Sequence, residues 1–352
     1  MPTTIRHRLL LLAAVLAWLT SGAIVGGGSW RLMAAESQRP VIHYITVNSR
    51  KYLRLSEIAR FYKCAVSQKI TSKEKVLTIT NRLGQKVVFT ADSVKCTLDG
   101  YQVNFCYKVI FRNGDFHLEQ TDFTNFLDPI LRTQTIPKRK VKTIMLDPGH
   151  GGKDQGTEQS GTKEKDLNLL LAKRIRSVLQ RRGYTVLMTR EKDMDLTLAS
   201  RSALCAAKKP DLFISLHCNA HSEASVNGIE VWIANPVGVP SYGTTTLGKN
   251  LPGTKFHSSN ALLAYLTIKS LVKATKAADR GVRRKQLYVI SHSPAPSMLV
   301  EFGFLSNEAE REKILSAEYQ DKLSAALCDA IDQFAKVTAP KPAPGAPPKN
   351  HR

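Results

Sequence analysis

Four residues in the second half of the chain have the types and settings needed to hold a metal ion and use it. His150 lies in IMLDPGHGG (Ile144–Gly152), where an apolar run stops at an acid, a proline and a glycine. His217 closes a second apolar run, DLFISLHCNA (Asp211–Ala220). Both histidines therefore stand where a buried strand gives out, and ligands gather at such carboxyl ends in open α/β sheets. A glycine-rich turn after a strand can also cradle phosphate. GHGGKD, however, lacks the G-x-G-x-x-G order, and no Gly-Lys-Ser/Thr follows it. Alternation along the second run sends Ser215, His217 and Asn219 to one face and Leu216 and Cys218 to the other. His217 and Cys218 are thus badly placed as a base and a thiol nucleophile.

Glu164, in GTKEKDLNLL (Gly161–Leu170), stands just before a helical pattern. An acid there suits the helix dipole, and Asp166 would serve as N-cap. Equally, Glu164 completes a two-histidine, one-carboxylate set, the kind that holds catalytic zinc with a fourth position open. Neither H-E-x-x-H nor an H-x-x-E after His150 occurs, which argues against a zinc peptidase. Glu301 follows Met-Leu-Val in SMLVEFGFLSN (Ser297–Asn307). A carboxylate at the end of such a run needs a partner, so it is either half of a salt bridge or a general base beside an activated water. Asp147 would orient a ligand or bond its own turn. His221 and His292 are expected to be exposed and uninvolved.

These residues need a frame that brings strand ends together. Strands are expected at Val141–Leu146, Tyr184–Thr189, Leu212–Leu216, Ile229–Ile233, Gln286–Ile290 and Met298–Glu301. Helices are expected at Asp166–Arg182, Thr197–Lys208 and Asn260–Lys276, and a last one carries Leu323, Leu327, Ile331 and Phe334. Such alternation implies an α/β fold: a twisted, mostly parallel sheet with helices on both faces. The segment from Asn235 to Ser259 is rich in Gly, Pro and Thr and has no apolar helical period.

A small α+β domain precedes it, at about 40–132. Its runs Lys75–Thr80 and Gln85–Thr90 read as strands separated by turn residues. NSRKYLRLSEIARFY (Asn48–Tyr62) is echoed by NGDFHLEQTDFTNFL (Asn113–Leu127), each a turn, a strand ending in Leu and a short helix. Residues 133–141 read as a linker around Pro137, 142–336 as the α/β domain, and 337–352 as a Pro-rich, disordered tail.

Arg6, His7 and Arg8 precede an apolar stretch, Leu9–Leu19, and small residues follow. That is the order of an export signal within 1–35, or of a retained membrane anchor. The body is then expected outside the cytoplasm, in the periplasm or cell envelope. The net charge of +22 suits a polyanionic partner. With export expected, an anionic wall polymer or membrane surface fits better than nucleic acid; Lys138–Lys140, Arg283–Lys285 and the tail either hold such a surface or are solvated charge runs. Six cysteines are too few for a disulfide-built scaffold, although Cys96 and Cys106 flank a hairpin and could bond.

The order DPGHGG, EKD, SLHCNA and VEFGFLSN resembles the zinc-dependent N-acetylmuramoyl-L-alanine amidases of the type 3 family, across about Val141–Lys336. LMTREKD with Arg190, Leu198-x-x-Arg201 and DRGV (Asp279–Val282) resemble the family in the same order. The resemblance implies one zinc ion on His150, Glu164 and His217, a catalytic Glu301, and peptidoglycan as substrate. It implies cleavage between N-acetylmuramic acid and L-alanine in wall remodelling or cell separation. Cys218 departs from the family's usual alanine, and Ala206 from its common asparagine. The order of the first domain resembles the copper amine oxidase-like N-terminal domain, with no ligand cluster to imply copper; a spacer or substrate-binding role is expected. A catalytically silent wall-binding or activator module is the rival reading. A protein regulator is left unidentified.

Overall fold

The computed structural model describes residues 42–340. The expected leader at 1–35 and the tail from 341 onward lie outside the described residues. Among the described residues no helix is long and apolar enough to cross a membrane.

The chain opens with β1 (Tyr44–Val47), β2 (Arg50–Arg54) and α1 (Leu55–Phe61). A meander follows: β3 (Ala65–Ile70), β4 (Lys75–Thr80), β5 (Lys86–Thr90), β6 (Lys95–Leu98) and β7 (Tyr101–Asn104). Next come β8 (Ile110–Arg112), β9 (Asp115–Glu119) and the short helices α2 (Gln120–Asp122) and α3 (Asp128–Leu131). The internal echo is realised in space. Both of its turns hold left-handed backbone, Asn48 and Ser49 at φ 48° and 62°, Asn113 and Gly114 at 53° and 77°. Such two-residue turns match the twist of a hairpin. Strands β2 and β9 then pair antiparallel with Leu53 opposite Leu118, the two leucines that correspond in the echo. They sit in a four-stranded sheet of order β1-β2-β9-β8.

The second half contains β10 (Thr143–Pro148), the small hairpin β11 (Glu158–Gln159) and β12 (Thr162–Lys163), α4 (Glu164–Arg181), β13 (Thr185–Met188) and α5 (Leu198–Lys208). It continues through β14 (Leu212–Asn219), β15 (Ile229–Ile233), α6 (His257–Thr275), β16 (Asp279–Arg284), α7 (Tyr288–Ser291), β17 (Ser297–Phe304), α8 (Glu308–Leu315) and α9 (Ala317–Thr338). Strands β13, β10, β14 and β17 are parallel neighbours, and β15 runs antiparallel to β17. One face of this sheet carries Met145, Phe213 and Leu299, with Cys205 of α5 and Val289 and Ile290 of α7 packed on them. Helices α4, α6 and α9 pack on the other face, where Ile175, Leu263, Ile268, Leu327 and Ile331 are fully buried. Helices thus cover both faces.

Strand β16 pairs in parallel with β7 through Val282 and Val103. The meander therefore prolongs the sheet into one of eleven strands, order β13-β10-β14-β17-β15-β16-β7-β6-β5-β4-β3. Phe89, Leu98 and Val103 share a continuous apolar cluster with Leu263, Val282 and Leu327.

Several local expectations change. Gln286–Ile290 is not a strand: Tyr288–Ser291 forms one helical turn, and its apolar residues seal the face over Phe213. The strand is Asp279–Arg284, whose charged sequence hides it because its ladder partners on both sides come from distant segments. Helix α4 starts at Glu164, with Lys163 rather than Asp166 at the N-cap. Helix α9 runs to Thr338, two residues into the span expected as tail. All six cysteines are free. Cys96 faces Val103 across the ladder and is buried, whereas Cys106 lies beyond the end of β7 with its N–H on Asp122.

Candidate metal and catalytic centre

The centre forms where β10, β14 and β17 end. After Pro148 the chain turns sharply and His150 takes a left-handed backbone conformation, φ 61°, which is uncommon for residues other than glycine. Two buried arginines hold this turn. Arg201 donates to Asp147 Oδ1, to the carbonyl of Pro148 and to that of His150, each at 2.7 Å. Arg190 donates to the carbonyls of Pro148 (3.0 Å), Gly149 (2.9 Å) and Lys165 (2.7 Å). Asp147 bonds nothing in its own turn. It accepts from Thr189, Arg201 and Ser215 and so ties the end of β10 to its surroundings. Glycine is required at 149, because a Cβ there would lie 2.1 Å from the His217 ring. At 156 a Cβ would lie 2.6 Å from Glu164 Oε2 and 2.7 Å from the His150 ring.

The turn delivers His150 to Glu164 and His217. One ligand atom from each lies within 4.8 Å of the others. Glu164, at the first position of α4, is buried; its Oε1 lies 3.2 Å from His150 Nε2 and 3.0 Å from His217 Nδ1. Asn168 and the Cys218 N–H donate to the same oxygen, and the Thr157 N–H donates to Oε2 at 3.0 Å. Burial alone would raise the Glu164 carboxyl, but the two imidazoles outweigh it and hold it well below the usual range. Burial likewise lowers His150, and is outweighed by Glu164 and then Asp154, so its pKa rises. Asp154 Oδ2 sits 2.9 Å from His150 Nδ1, the arrangement that orients ligating imidazoles.

Glu301 lies beside this cluster, directly opposite His217 in the β14–β17 ladder. Its Oε2 is cut off from solvent and has no hydrogen-bond partner. Burial, followed by the charges of Glu164 and Glu230, pushes its carboxyl well above the usual range. The structure therefore brings together all four residues singled out from the sequence. It leaves out His221, which is exposed, and His292, which stacks on Tyr288 at 3.9 Å. The sequence reading assigned no part to Asp154, Asn168 or Glu230. Glu230 carried a visible signal, a carboxylate inside the apolar run GIEVWI, the same signal that marked Glu301. The basic run Arg283–Lys285 is not the surface cluster expected of it. Arg284 is 2% exposed on Asp122, and Arg283 is engaged with Glu230. Lys138 and Lys140 remain at the surface.

A histidine–carboxylate–histidine cluster with an unpartnered carboxyl beside it, at the strand ends, makes the molecule an α/β protein with a candidate metal centre. Residues 144–333 match the model of the N-acetylmuramoyl-L-alanine amidase family, Amidase_3, and the chain belongs to that family. It is 33% identical over 194 residues to the uncharacterized protein YqiI of Bacillus subtilis (strain 168), covering 55% of this chain and 84% of that one. It is 34% identical over 193 residues to the N-acetylmuramoyl-L-alanine amidase LytC of the same organism, covering 55% of this chain but only 35% of LytC. Among solved structures, an N-acetylmuramoyl-L-alanine amidase from Clostridium difficile 630 is 31% identical, with a TM-score of 0.49 over 56% of this chain and 98% of that one.

Proposed function

We infer that this chain hydrolyses the amide joining the lactyl group of N-acetylmuramic acid to L-alanine in peptidoglycan, outside the cytoplasm, in remodelling of the wall. The observation that carries the reading is the orphaned Glu301 oxygen beside a three-donor cluster. A carboxyl so placed, with no internal partner, is what a proton-transfer group requires.

The donor set suits zinc. Two imidazoles and one carboxylate converge, and the glycines at 149 and 156 leave room for them that a Cβ would fill. His150, Glu164 and His217 would hold the ion. When bound, it supplies Lewis-acid polarisation of the scissile carbonyl and of water, and a positive charge to offset the carboxylates that push Glu301 upward. Glu301 then takes a proton from the attacking water and returns it to the leaving amine nitrogen of L-alanine. Asp154 keeps the His150 ring in register, and Arg190 and Arg201 hold the turn that presents it.

The test is Glu301→Gln assayed on purified peptidoglycan, with released fragments identified by mass. Wild type should free stem peptides beginning with L-alanine. The variant should keep its zinc and lose turnover by about 10²–10⁴-fold, the usual worth of a general base. Undiminished release by a zinc-loaded variant would overturn the role of Glu301; new glycan reducing ends alone would overturn the amidase reading.

A further inference from the structure

Beside the orphaned Glu301 stands a carboxylate with the opposite character. Glu230 is directly opposite Glu301 in the antiparallel β15–β17 ladder, so both side chains rise from the same face. Glu230 is 1% exposed and fully partnered. Its Oε1 receives Arg280 at 2.6 Å and Arg283 at 2.8 Å. Its Oε2 accepts from the Trp232 indole at 3.1 Å and from Asn219 at 3.4 Å.

The backbone is shaped to deliver both arginines. Residues 280 and 283 of a regular strand would point to opposite faces. The β15–β16 register shifts here: Ile229 pairs with Asp279, yet Val231 pairs with Val282. The extra residue on β16 sits at Gly281, φ 80°, where a Cβ would come within 2.8 Å of Asn104 Nδ2 and the Gln102 carbonyl. Bulges re-aim side chains in this way. The side chains of Gln102 and Asn104, on β7, fasten the bulge by donating to the Arg280 carbonyl at 3.2 and 3.4 Å. Arg283 is further confined by Trp232 and Tyr242, 5.4 and 4.7 Å from their ring centres.

We propose that Glu230 is a positioning residue for the hydrolysis: it sequesters Arg280 and Arg283 so that neither guanidinium pairs with Glu301. Without the Glu230 charge, Arg280 loses its ion pair while its guanidinium lies 4.8 Å from the ring centre of Phe304, on the same strand as the unpartnered Glu301 carboxylate. It turns to Glu301, and an ion-paired Glu301 no longer accepts a proton from water. The bulge that makes this possible is clasped by β7, so the N-terminal half shapes the catalytic centre through β16. The proposal rests on Glu301 being the base.

The experiment compares E230Q, E230D, E230Q/R280M, E301Q and E301Q/E230Q for kcat, KM and zinc content on peptidoglycan. E230Q should lose about 10- to 100-fold in kcat, within the general-base contribution, with KM and zinc unchanged. E230D keeps the charge and should retain more activity than the isosteric E230Q; a purely steric role predicts the reverse order. Removing the freed guanidinium in E230Q/R280M should restore most of the loss, and this double variant carries the test even if E230Q alone does not fold. A double variant no better than wild type diminished by E230Q, or one that is folded and inactive, overturns the sequestration. E301Q/E230Q should be no worse than E301Q, because residues acting through one group are not additive. An active E301Q would instead overturn the underlying reading of the base.

Discussion

The turn that presents His150 and the seam where β7 joins β16 are each held by a buried arginine on a buried aspartate, and they are built differently. At the turn both terminal nitrogens of Arg201 have targets: Asp147 and the carbonyls of residues 148 and 150. Arg190 covers the remaining carbonyl at 149. At the seam Arg284 meets Asp122, whose carboxylate also takes the N–H groups of Cys106 and Tyr107. Yet Nε and Nη1 of Arg284 have no partner, and the guanidinium rests over the Phe126 ring at 4.9 Å. The difference is one of purpose. A left-handed histidine persists only where its surroundings over-determine it, so the turn is tied down bond by bond. The seam needs only to stay closed, and the shared apolar core around Leu98 and Val103 does most of that.

The sharpest way to break the comparison is at the turn. His150→Ala should remove a donor from the cluster outright, so that the protein purifies with little zinc and activity falls with it; metal analysis reads this directly. Arg201→Met should come next. It leaves all three donors in place but strips Asp147 and the carbonyl of His150 of their Arg201 bonds, while Arg190 still holds the carbonyl of Pro148, and zinc affinity should fall about 10- to 100-fold, as for other groups that orient ligands. Undiminished affinity would show that the turn needs no clamp.

At the seam, Arg284→Met should leave Asp122 as a buried charge without its cation. A loss of about 3–5 kcal/mol in unfolding free energy is expected, with zinc affinity unchanged. Denaturant unfolding alongside metal titration separates it from Arg201→Met. The smallest effect concerns His257, at the start of α6, where burial and then Arg284 lower the pKa to about 4. The unfolded chain then takes up this proton near pH 6.5, before the folded one does. The contribution to stability is complete above about pH 6.5 and is lost as pH falls toward 4. His257→Asn should flatten the stability profile across that window, which unfolding curves at several pH values would reveal.

How much was legible in the sequence follows from what each feature depends on. The histidines and Glu301 were legible because each breaks an apolar run, which is a local pattern. Glu164 was legible as the acid opening a helix. The duplicated hairpin was legible because both turns open on Asn, a residue that tolerates left-handed backbone, between runs of matching pattern. Strand β16 was missed, since DRGVRR has no apolar period and is a strand only because β15 and β7 flank it. The apolar Leu287–Ile290 misled for the converse reason: those residues are apolar to cover Phe213, not to join a ladder. Glu230 and its arginines were illegible as a unit, because the bulge at Gly281 overrides strand alternation.

By itself, then, the sequence determined the donor types, the strands that end in them and the helices on both faces, all set by composition and period within short windows. Tertiary structure alone decided which of two neighbouring glutamates is left free. Glu230 and Glu301 are alike in sequence setting, and only the approach of β16, bent by one glycine and clasped by β7, satisfies one and leaves the other without a partner. That choice depends on contacts between segments far apart in the chain, which no local pattern records.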